Sequence, residues 1–261
     1  LNRKSIVHVK GGYLKASYEN MSYLKKKISK FILQLYSKGI VLSNSLKPLL
    51  EEFLDSKNIF IQHNFIQHSL IIPEREVFKL KSFDSIKIIY LSNLIPEKGI
   101  YQFLDSLEDL NSRGTKFEAK IAGYIPNNHE DLIQRMHKIK NLEFIGVVKS
   151  NAKADLLSWG NVFCLPTYYS MEGQPISILE AMGFGNVIVT TKHAGIPDVC
   201  NRKNGLFVEK RDVKSLVNEL NYLTNNIDWV KETCRFNLTH ARKLYSEEAF
   251  VNGVIKIINS E

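Results

Sequence analysis

The sequence has few cysteines, and it lacks long apolar runs and a signal-peptide pattern. Each of these features excludes a class of protein. Three cysteines occur in 261 residues, and their scattered positions fit neither a disulfide framework nor a metal site; they are Cys164, Cys200 and Cys234. No apolar run approaches the roughly 20 residues of a membrane-spanning helix. The sequence opens on Leu1 without a signal-peptide pattern, and a predicted strand, Ile6–Val9, follows almost at once. We therefore expect a cytoplasmic protein whose sequence begins inside a domain.

Acidic residues are outnumbered by basic ones. Lysine and arginine total 35 against 27 for aspartate and glutamate, which gives a formal net charge of +8. Such a charge suits a phosphate-bearing partner or an anionic membrane surface. Nucleic acid is not supported as a partner, because the sequence has no zinc-finger spacing, no basic region leading into heptads and no aromatic RNA-binding motif.

Many of the lysines lie in one segment with apolar residues between them. The apolar positions repeat at helical spacing, which predicts an amphipathic basic helix over about Ser22–Tyr36. The lysines in and beside it are Lys25, Lys26, Lys27, Lys30 and Lys38, and the apolar residues are Leu24, Ile28, Phe31, Ile32 and Leu35. Two interpretations stay open: a domain helix with a solvated lysine face, or peripheral contact with anionic lipid at the inner face of the cell membrane.

Strands and helices alternate in two regions that a proline-containing segment separates. Residues 1–64 read as a few strands with helices between them, which predicts the C-terminal remnant of an α/β domain. Residues 65–84 carry Pro73 and a mixed-charge run, which is typical of an interdomain linker. From residue 85 to 243 the alternation is regular and predicts a complete Rossmann-like domain with a doubly wound parallel sheet. Residues 244–261 are predicted to form a C-terminal helix that packs back toward the first domain.

Two loops of the second region are predicted to face one crevice. A doubly wound sheet binds ligands at the carboxyl ends of its strands, where the strand order reverses. This rule selects the loop 93–99, which contains Lys98, and the loop that leads through Gly173–Pro175 into a helix. Pro175 suits the first position of that helix, and a cation beside free helix amides can bind a diphosphate. The alternative for Lys98 is a solvated lysine in a turn.

Two glutamates, Glu172 and Glu180, bracket the start of that helix. In a helix, eight positions at about 1.5 Å rise place two carboxylates roughly 12 Å apart, whereas a retaining glycosidase needs a pair about 5 Å apart. The spacing argues against hydrolysis and favours two contacts along one extended ligand. The alternative is structural, with Glu180 as a solvated helix residue and Glu172 beside the positive end of the helix dipole.

The stretch EGQPISILEAMGFGNVIVTT, with the later GIPD and NGLFV, resembles the Glu-x7-Glu region of the retaining GT-B glycosyltransferases of glycosyltransferase family 4. LSNLIPEKG and VLSNSLKPLL resemble further segments of that family, and the resemblance covers nearly the whole sequence. It implies the GT-B fold, with two Rossmann-like domains. It also implies transfer of a hexosyl group, with retention, from a nucleoside-diphosphate sugar to a carbohydrate or lipid-linked acceptor in polysaccharide or lipopolysaccharide synthesis.

The resemblance implies roles for individual residues. Glu180 is similar to the glutamate that holds the ribose hydroxyls, and Glu172 to the glutamate that contacts the donor sugar with help from the backbone amides of Gly173 and Gln174. Lys98 is similar to the lysine that binds the diphosphate and stabilises the leaving group. Because the sequence has no Asp-x-Asp motif, we expect no metal site, and no cofactor besides the donor substrate.

Four further positions are candidates with weaker support. Asn93 stands where the family commonly has an arginine, so one of the two usual cations is replaced by an uncharged donor. Gly146 and Val147 resemble the segment that contacts the base through its backbone. His8 resembles part of a His-x-His-Gly-Gly pattern on the acceptor side, where Lys10 replaces the second histidine. His8 is therefore a candidate catalytic residue, and its alternative is a structural role.

Two other functions are compatible with the resemblance. Since most of the family's N-terminal domain is expected to be missing, the chain could be a nucleotide-sugar-binding remnant or subunit without activity. A sugar-nucleotide 2-epimerase would share the two-domain architecture, although EGQPISILEAMG is more similar to the transferases.

Overall fold

The computed structural model describes residues 5–126 and 130–260, and within these ranges the strands form two parallel sheets. The strands are β1 (Ile6–Val9), β2 (Lys38–Val41), β3 (Ile59–Ile61), β4 (Ile86–Leu91), β5 (Phe117–Ala122), β6 (Leu142–Phe144), β7 (Val162–Leu165), β8 (Val187–Thr191) and β9 (Gly205–Val208). The first sheet has the order β1-β2-β3 and the second has the order β6-β5-β4-β7-β8-β9.

Helices connect the strands of both sheets. They are α1 (Tyr13–Glu19), α2 (Tyr23–Gln34), α3 (Pro48–Glu51), α4 (Glu74–Leu80), α5 (Ile100–Ser112), α6 (Glu130–Lys138), α7 (Ser150–Trp159), α8 (Ile176–Gly183), α9 (Val213–Asn225), α10 (Ile227–Leu244) and α11 (Glu247–Asn259). The predicted α/β architecture is confirmed, and the basic helix predicted near Ser22–Tyr36 is present as α2.

The second sheet reverses its strand order between β4 and β7. β4 pairs in parallel with β5 on one side and with β7 on the other. β7 and β8 are buried along their whole length, as expected for parallel strands that helices cover on both faces. The carboxyl ends of β4 and β7 therefore meet at one edge of the sheet, where the strand-order rule predicts a ligand crevice.

The segment 65–84, predicted to be an interdomain linker, is partly helical. It contains α4, which packs against α7. Val77 of α4 is completely buried, and Lys81 after it is only 7% exposed. The linker prediction rested on Pro73 and the mixed charge, and these features do not reveal that one face of a short helix is apolar.

Contacts also join α11 to the first sheet. The ammonium group of Lys38 on β2 donates to the backbone carbonyls of Ile257 and Ser260. Phe250 of α11 lies 4.6 Å, between ring centroids, from Phe65 after β3. The two ends of the described chain thus meet at this sheet.

One further property concerns the helices as a group. In the part of the chain that the structure describes, no helix combines the length and the apolar character needed to cross a membrane.

Candidate functional site

The crevice at the switch point of the second sheet has a volume of about 770 Å³. Its walls come from the loops after β1, β3, β4, β6 and β7 and from the first turns of α7 and α8. The polar and charged side chains among them are Lys10, Asn64, Gln67, Lys98, Lys153, Glu172, Gln174, Ser177 and Glu180. Three of the charged residues, Lys98, Glu172 and Glu180, are those that the sequence predicted to share one ligand.

A second depression, of about 910 Å³, lies beside the edge strand β9 and includes Phe207 and Tyr222 in its lining. Although it is larger, none of the predicted site residues lines it. Convergence of charged side chains at the carboxyl ends of strands is a better guide to a site than volume, so we assign the candidate site to the smaller crevice.

Lys98 and Glu172 form an ion pair across the crevice. The Lys98 Nζ lies 2.6 Å from the Glu172 Oε2, and the side chains are 14% and 9% exposed. The hydroxyl of Thr167 donates to the same carboxylate oxygen at 3.3 Å. The lysine Nζ also lies 4.9 Å from the centre of the Tyr169 ring, a favourable arrangement for a cation. These contacts fix both charges at the end of β7.

The backbone brings Lys98 to this place through a left-handed residue. Gly99 has φ +79° and ends the 3-10 turn Pro96–Lys98. A Cβ at residue 99 would collide with the backbone of Pro166, so the close approach of the two loops requires glycine.

Glu180 makes the second ion pair, with Lys153. Glu180 lies on α8 and is 3% exposed, and its Oε1 lies 2.5 Å from the Nζ of Lys153 on α7. Burial raises the pKa of Glu180, and the charge of Lys153 opposes that shift. The predicted alternative of a solvated helix residue is therefore wrong for Glu180. Sequence reasoning missed Lys153, because a single lysine in a helix carries no motif.

The start of α8 opens toward the crevice. The helix begins at Ile176, one position later than predicted, and Pro175 is its N-cap residue with φ −62° and ψ 115°. Amides in the first turn of a helix have no intrahelical acceptors, so those of Ile176 and Ser177 can bind an anion. A Cβ on Gly173 would lie 2.7 Å from the carbonyl oxygen of Lys10, so glycine permits the close approach of the loop after β1.

The side chain of Gln174 is committed to the protein rather than to a ligand. Its Oε1 accepts a hydrogen bond from the Asn64 amide at 2.7 Å, and its Nε2 donates to the Leu42 carbonyl at 3.1 Å. The Asn64 side chain in turn donates to the Gln174 carbonyl at 2.9 Å. Gln174 thus ties the mouth of α8 to the first sheet, and only its backbone amide remains a candidate for the predicted donor contact.

Four predicted site residues lie outside the crevice lining. Asn93 is exposed. Val147 is 59% exposed, and its neighbour Val148 lines the crevice in its place. Gly146 has φ +72° and bonds through its carbonyl to Gly123. These residues lie in turns that follow β4 and β6. Alignment to the motifs of a family does not determine which residue of a turn faces the crevice.

His8 is the fourth of these residues. Its ring is stacked near Phe250 of α11, 6.3 Å away between centroids, and it does not line the crevice. Burial lowers the pKa of His8, and the charge of Lys10 lowers it further. The structure therefore favours the structural alternative for His8, whereas Lys10 lines the crevice.

Comparison with known proteins identifies a matching family and several similar proteins. A family model described as "Glycosyl transferases group 1" matches residues 85–226. The chain is 29% identical over 142 residues to the "Putative colanic acid biosynthesis glycosyltransferase WcaL" of Escherichia coli (strain K12), which covers 52% of this chain and 35% of that protein. It is 26% identical over 156 residues to the amylovoran biosynthesis glycosyltransferase AmsK of Erwinia amylovora, which covers 55% of this chain and 38% of that protein.

The fold is shared with solved structures. The Anabaena protein Alr3699/HepE, crystallised in complex with UDP and glucose, superposes with a TM-score of 0.79 at 16% identity, over 99% of this chain and 72% of that one. The matches to the two curated relatives span little more than a third of those relatives' length.

Proposed function

Because the chain belongs to the group 1 glycosyltransferase family and has the GT-B fold, we propose that its crevice binds a nucleoside-diphosphate sugar. The proposed reaction moves the hexosyl group, with retention at the anomeric carbon, to a carbohydrate or lipid-linked acceptor. The names of the relatives, which refer to colanic acid and amylovoran, support a place in polysaccharide synthesis.

One observation carries this proposal: two lysine–glutamate pairs and a helix start face the same crevice. In the proposed complex Glu180 accepts hydrogen bonds from the ribose hydroxyls. Lys98 and the first amides of α8 contact the diphosphate, and Glu172 contacts the donor sugar.

The chemistry requires positive charge where the leaving group departs. When the bond between the anomeric carbon and the phosphate oxygen breaks, the diphosphate gains negative charge. Lys98 is held in place by Glu172 and Tyr169, and the amides of α8 are fixed by the helix. Such preorganised groups stabilise a transition state without reorganisation. The anomeric carbon forms its new bond to an acceptor hydroxyl oxygen, and the proton of that hydroxyl passes to the departing diphosphate.

Peripheral contact with a membrane belongs to the same proposal. α2 and its C-cap residue Leu35 present an apolar stripe to solvent, with Leu24 67%, Ile28 51%, Phe31 64% and Leu35 63% exposed. These residues lie at intervals of four, three and four positions, which places them on one helix face. Lysines flank the stripe, and α2 contains no acidic residue. An apolar face with a cationic border fits the surface of an anionic bilayer.

Donor binding is tested with a thermal-shift series of nucleoside diphosphates and their sugars. A ligand that binds the folded state increases the free energy of unfolding, by about 2.7 kcal/mol at a concentration 100 times its Kd. The melting temperature rises as a result. We expect a shift for one nucleoside diphosphate and its sugar in the wild type, and a smaller shift in Glu180→Ala. No shift with any of them would sink the proposal.

Product analysis separates the proposed reaction from its alternatives. Transfer requires an acceptor, so incubation with the donor alone should give no epimerised sugar. Donor binding without transfer to any acceptor would instead indicate a binding subunit.

A further inference from the structure

Lys153 is a charged residue of the crevice that no sequence pattern indicated. It lies in the first half of α7, with its Nζ 2.5 Å from the Glu180 Oε1. The side chain of Lys153 is 24% exposed and that of Glu180 is 4% exposed. The ammonium group therefore lies between a buried carboxylate and the open crevice.

This contact has an electrostatic consequence for Glu180. Burial favours the neutral form of a carboxyl group, and a neighbouring cation favours the charged form. Among residues 5–126 and 130–260, Lys153 is the one side chain that donates a hydrogen bond to Glu180. An ionised carboxylate can accept about four hydrogen bonds, so a ligand hydroxyl can bind Glu180 while Lys153 remains paired.

The position of Lys153 favours its assignment to the nucleoside end of the crevice. It also lines an adjoining depression of about 280 Å³, together with Val148 and Lys149, which follow β6. The other lysine–glutamate pair is formed by Lys98 and Glu172. Each glutamate of the crevice thus has its own lysine, and the Lys98 pair is the one beside the proposed leaving group.

We propose that Lys153 is a positioning residue for donor binding, which keeps Glu180 ionised and oriented so that its carboxylate accepts the ribose hydroxyls. This inference rests on the proposed function, because it takes ribose as the ligand of Glu180. It gives Lys153 no direct contact with the phosphates. Loss of Lys153 should therefore weaken recognition of the ribose and not recognition of the phosphates.

A cycle of ligand and protein variants tests this inference. Calorimetry would measure the affinities of UDP, GDP and ADP and of their 2′-deoxy forms, for the wild type and for Lys153→Met. For the nucleotide that the wild type binds best, removal of the 2′-hydroxyl should weaken binding by about tenfold, as expected for a hydrogen bond to a charged group. In Lys153→Met the ribo form should bind about as weakly as the deoxy form, with less than about twofold discrimination, because the two changes remove one interaction.

Matched variants make the result specific. Lys120→Met removes a lysine that pairs with Glu143 at 2.9 Å, outside the crevice, and should keep both affinity and discrimination. Lys153→Arg keeps the charge and should retain most of the discrimination. Lys153→Gln is a second neutral variant if Lys153→Met does not fold, as judged by circular dichroism.

Each other outcome has a distinct meaning. If the neutral variants keep the wild-type discrimination, the inference is wrong, whether or not overall affinity falls; a uniform loss would indicate a phosphate contact. If the wild type binds none of the nucleotides, the proposed function fails instead.

Discussion

The Nζ of Lys98 lies 2.6 Å from the Oε2 of Glu172, so an ion pair joins the loop after β4 to the loop after β7. Both side chains are nearly buried, and Thr167 donates to the same carboxylate oxygen. Removal of one partner from such a pair leaves a nearly buried charge without compensation. The contact therefore affects both the stability of the fold and the position of the cation that we assign to the diphosphate.

The first prediction separates these two effects. Lys98→Met should lower turnover at least about tenfold, which corresponds to a loss of roughly 1.4 kcal/mol of transition-state stabilisation. The same variant should also have a lower free energy of unfolding. The double variant Lys98→Met/Glu172→Gln should recover part of the stability, because the buried charge is gone, but none of the turnover. Urea unfolding and the release of nucleoside diphosphate measure the two quantities.

Lys120→Met is the control, since its ion pair with Glu143 lies outside the crevice. Full turnover in both Lys98→Met and Glu180→Ala would contradict the assignment of the active site.

A second prediction concerns Gly173, where two loops touch. A Cβ at residue 173 would lie 2.7 Å from the carbonyl oxygen of Lys10 and 3.1 Å from the Cα of Gly11. Gly173→Ala should therefore push the loop after β1 away from the mouth of α8, at a cost of about 1–3 kcal/mol. The donor KM should rise, and the melting temperature should fall.

Gly114→Ala serves as the comparison for this variant. Gly114 has φ +69°, yet a Cβ there would meet nothing within 4 Å, so it tests backbone strain without a collision. If Gly173→Ala leaves the donor KM at the wild-type value, the two loops do not depend on their close contact.

How far the sequence predicted the site depends on the kind of interaction. The crevice followed from strand alternation together with the commonest strand order of doubly wound sheets, because the carboxyl-end rule depends on topology. Lys98 and Glu172 were placed in it for the same reason. Their direct contact was not predicted, since the geometry of a loop is set by neighbours such as Pro166 and Tyr169 that come from distant parts of the chain.

Other side-chain contacts were not predicted because their partners are remote in sequence. Gln174 lies in the strongest motif, yet its side chain bonds to Asn64, 110 positions away. Lys153 has no motif, and its contact with Glu180 joins residues of α7 and α8 that are 27 positions apart in sequence. His8 was selected by its resemblance to a family pattern, whereas its neighbour in space is Phe250 of the last helix.

The third prediction concerns Lys81, a buried lysine outside the crevice. Its ammonium group donates to the carbonyls of Leu157 and Gly160, and burial lowers its pKa from 10.5 to about 8. In this range the unfolded chain binds more protons than the folded protein, so the contribution of Lys81 to stability rises with pH. The free energy of unfolding of the wild type, relative to Lys81→Met, should increase by about 3 kcal/mol between pH 7 and pH 11.

Urea unfolding of both proteins across this range provides the measurement. The difference between the two proteins isolates Lys81 from the other groups that titrate at high pH. A difference that is constant with pH would show that Lys81 stays charged in the folded protein.

The last prediction tests the apolar stripe of α2 as a lipid-binding surface. The wild type should float with vesicles that contain phosphatidylglycerol and not with vesicles of phosphatidylcholine alone, because each lysine near an anionic surface contributes about 1 kcal/mol. Leu24→Ser/Phe31→Ser should lose flotation by removing apolar area. Lys25→Gln/Lys27→Gln should lose it by removing charge, and added salt should have the same effect on the wild type.

Helix α11 supplies the control for this experiment, since Val251 and Ile255 are 48% and 47% exposed but lie on a helix that begins with two glutamates. Val251→Ser/Ile255→Ser should float like the wild type, because exposed apolar area without a cationic border has no attraction for an anionic bilayer. The alternative occupant of the α2 stripe is a second copy of the chain. A dimer in light scattering that dissociates in Leu24→Ser/Phe31→Ser, together with no flotation of the wild type, would assign the stripe to self-association and remove the membrane from the proposed function.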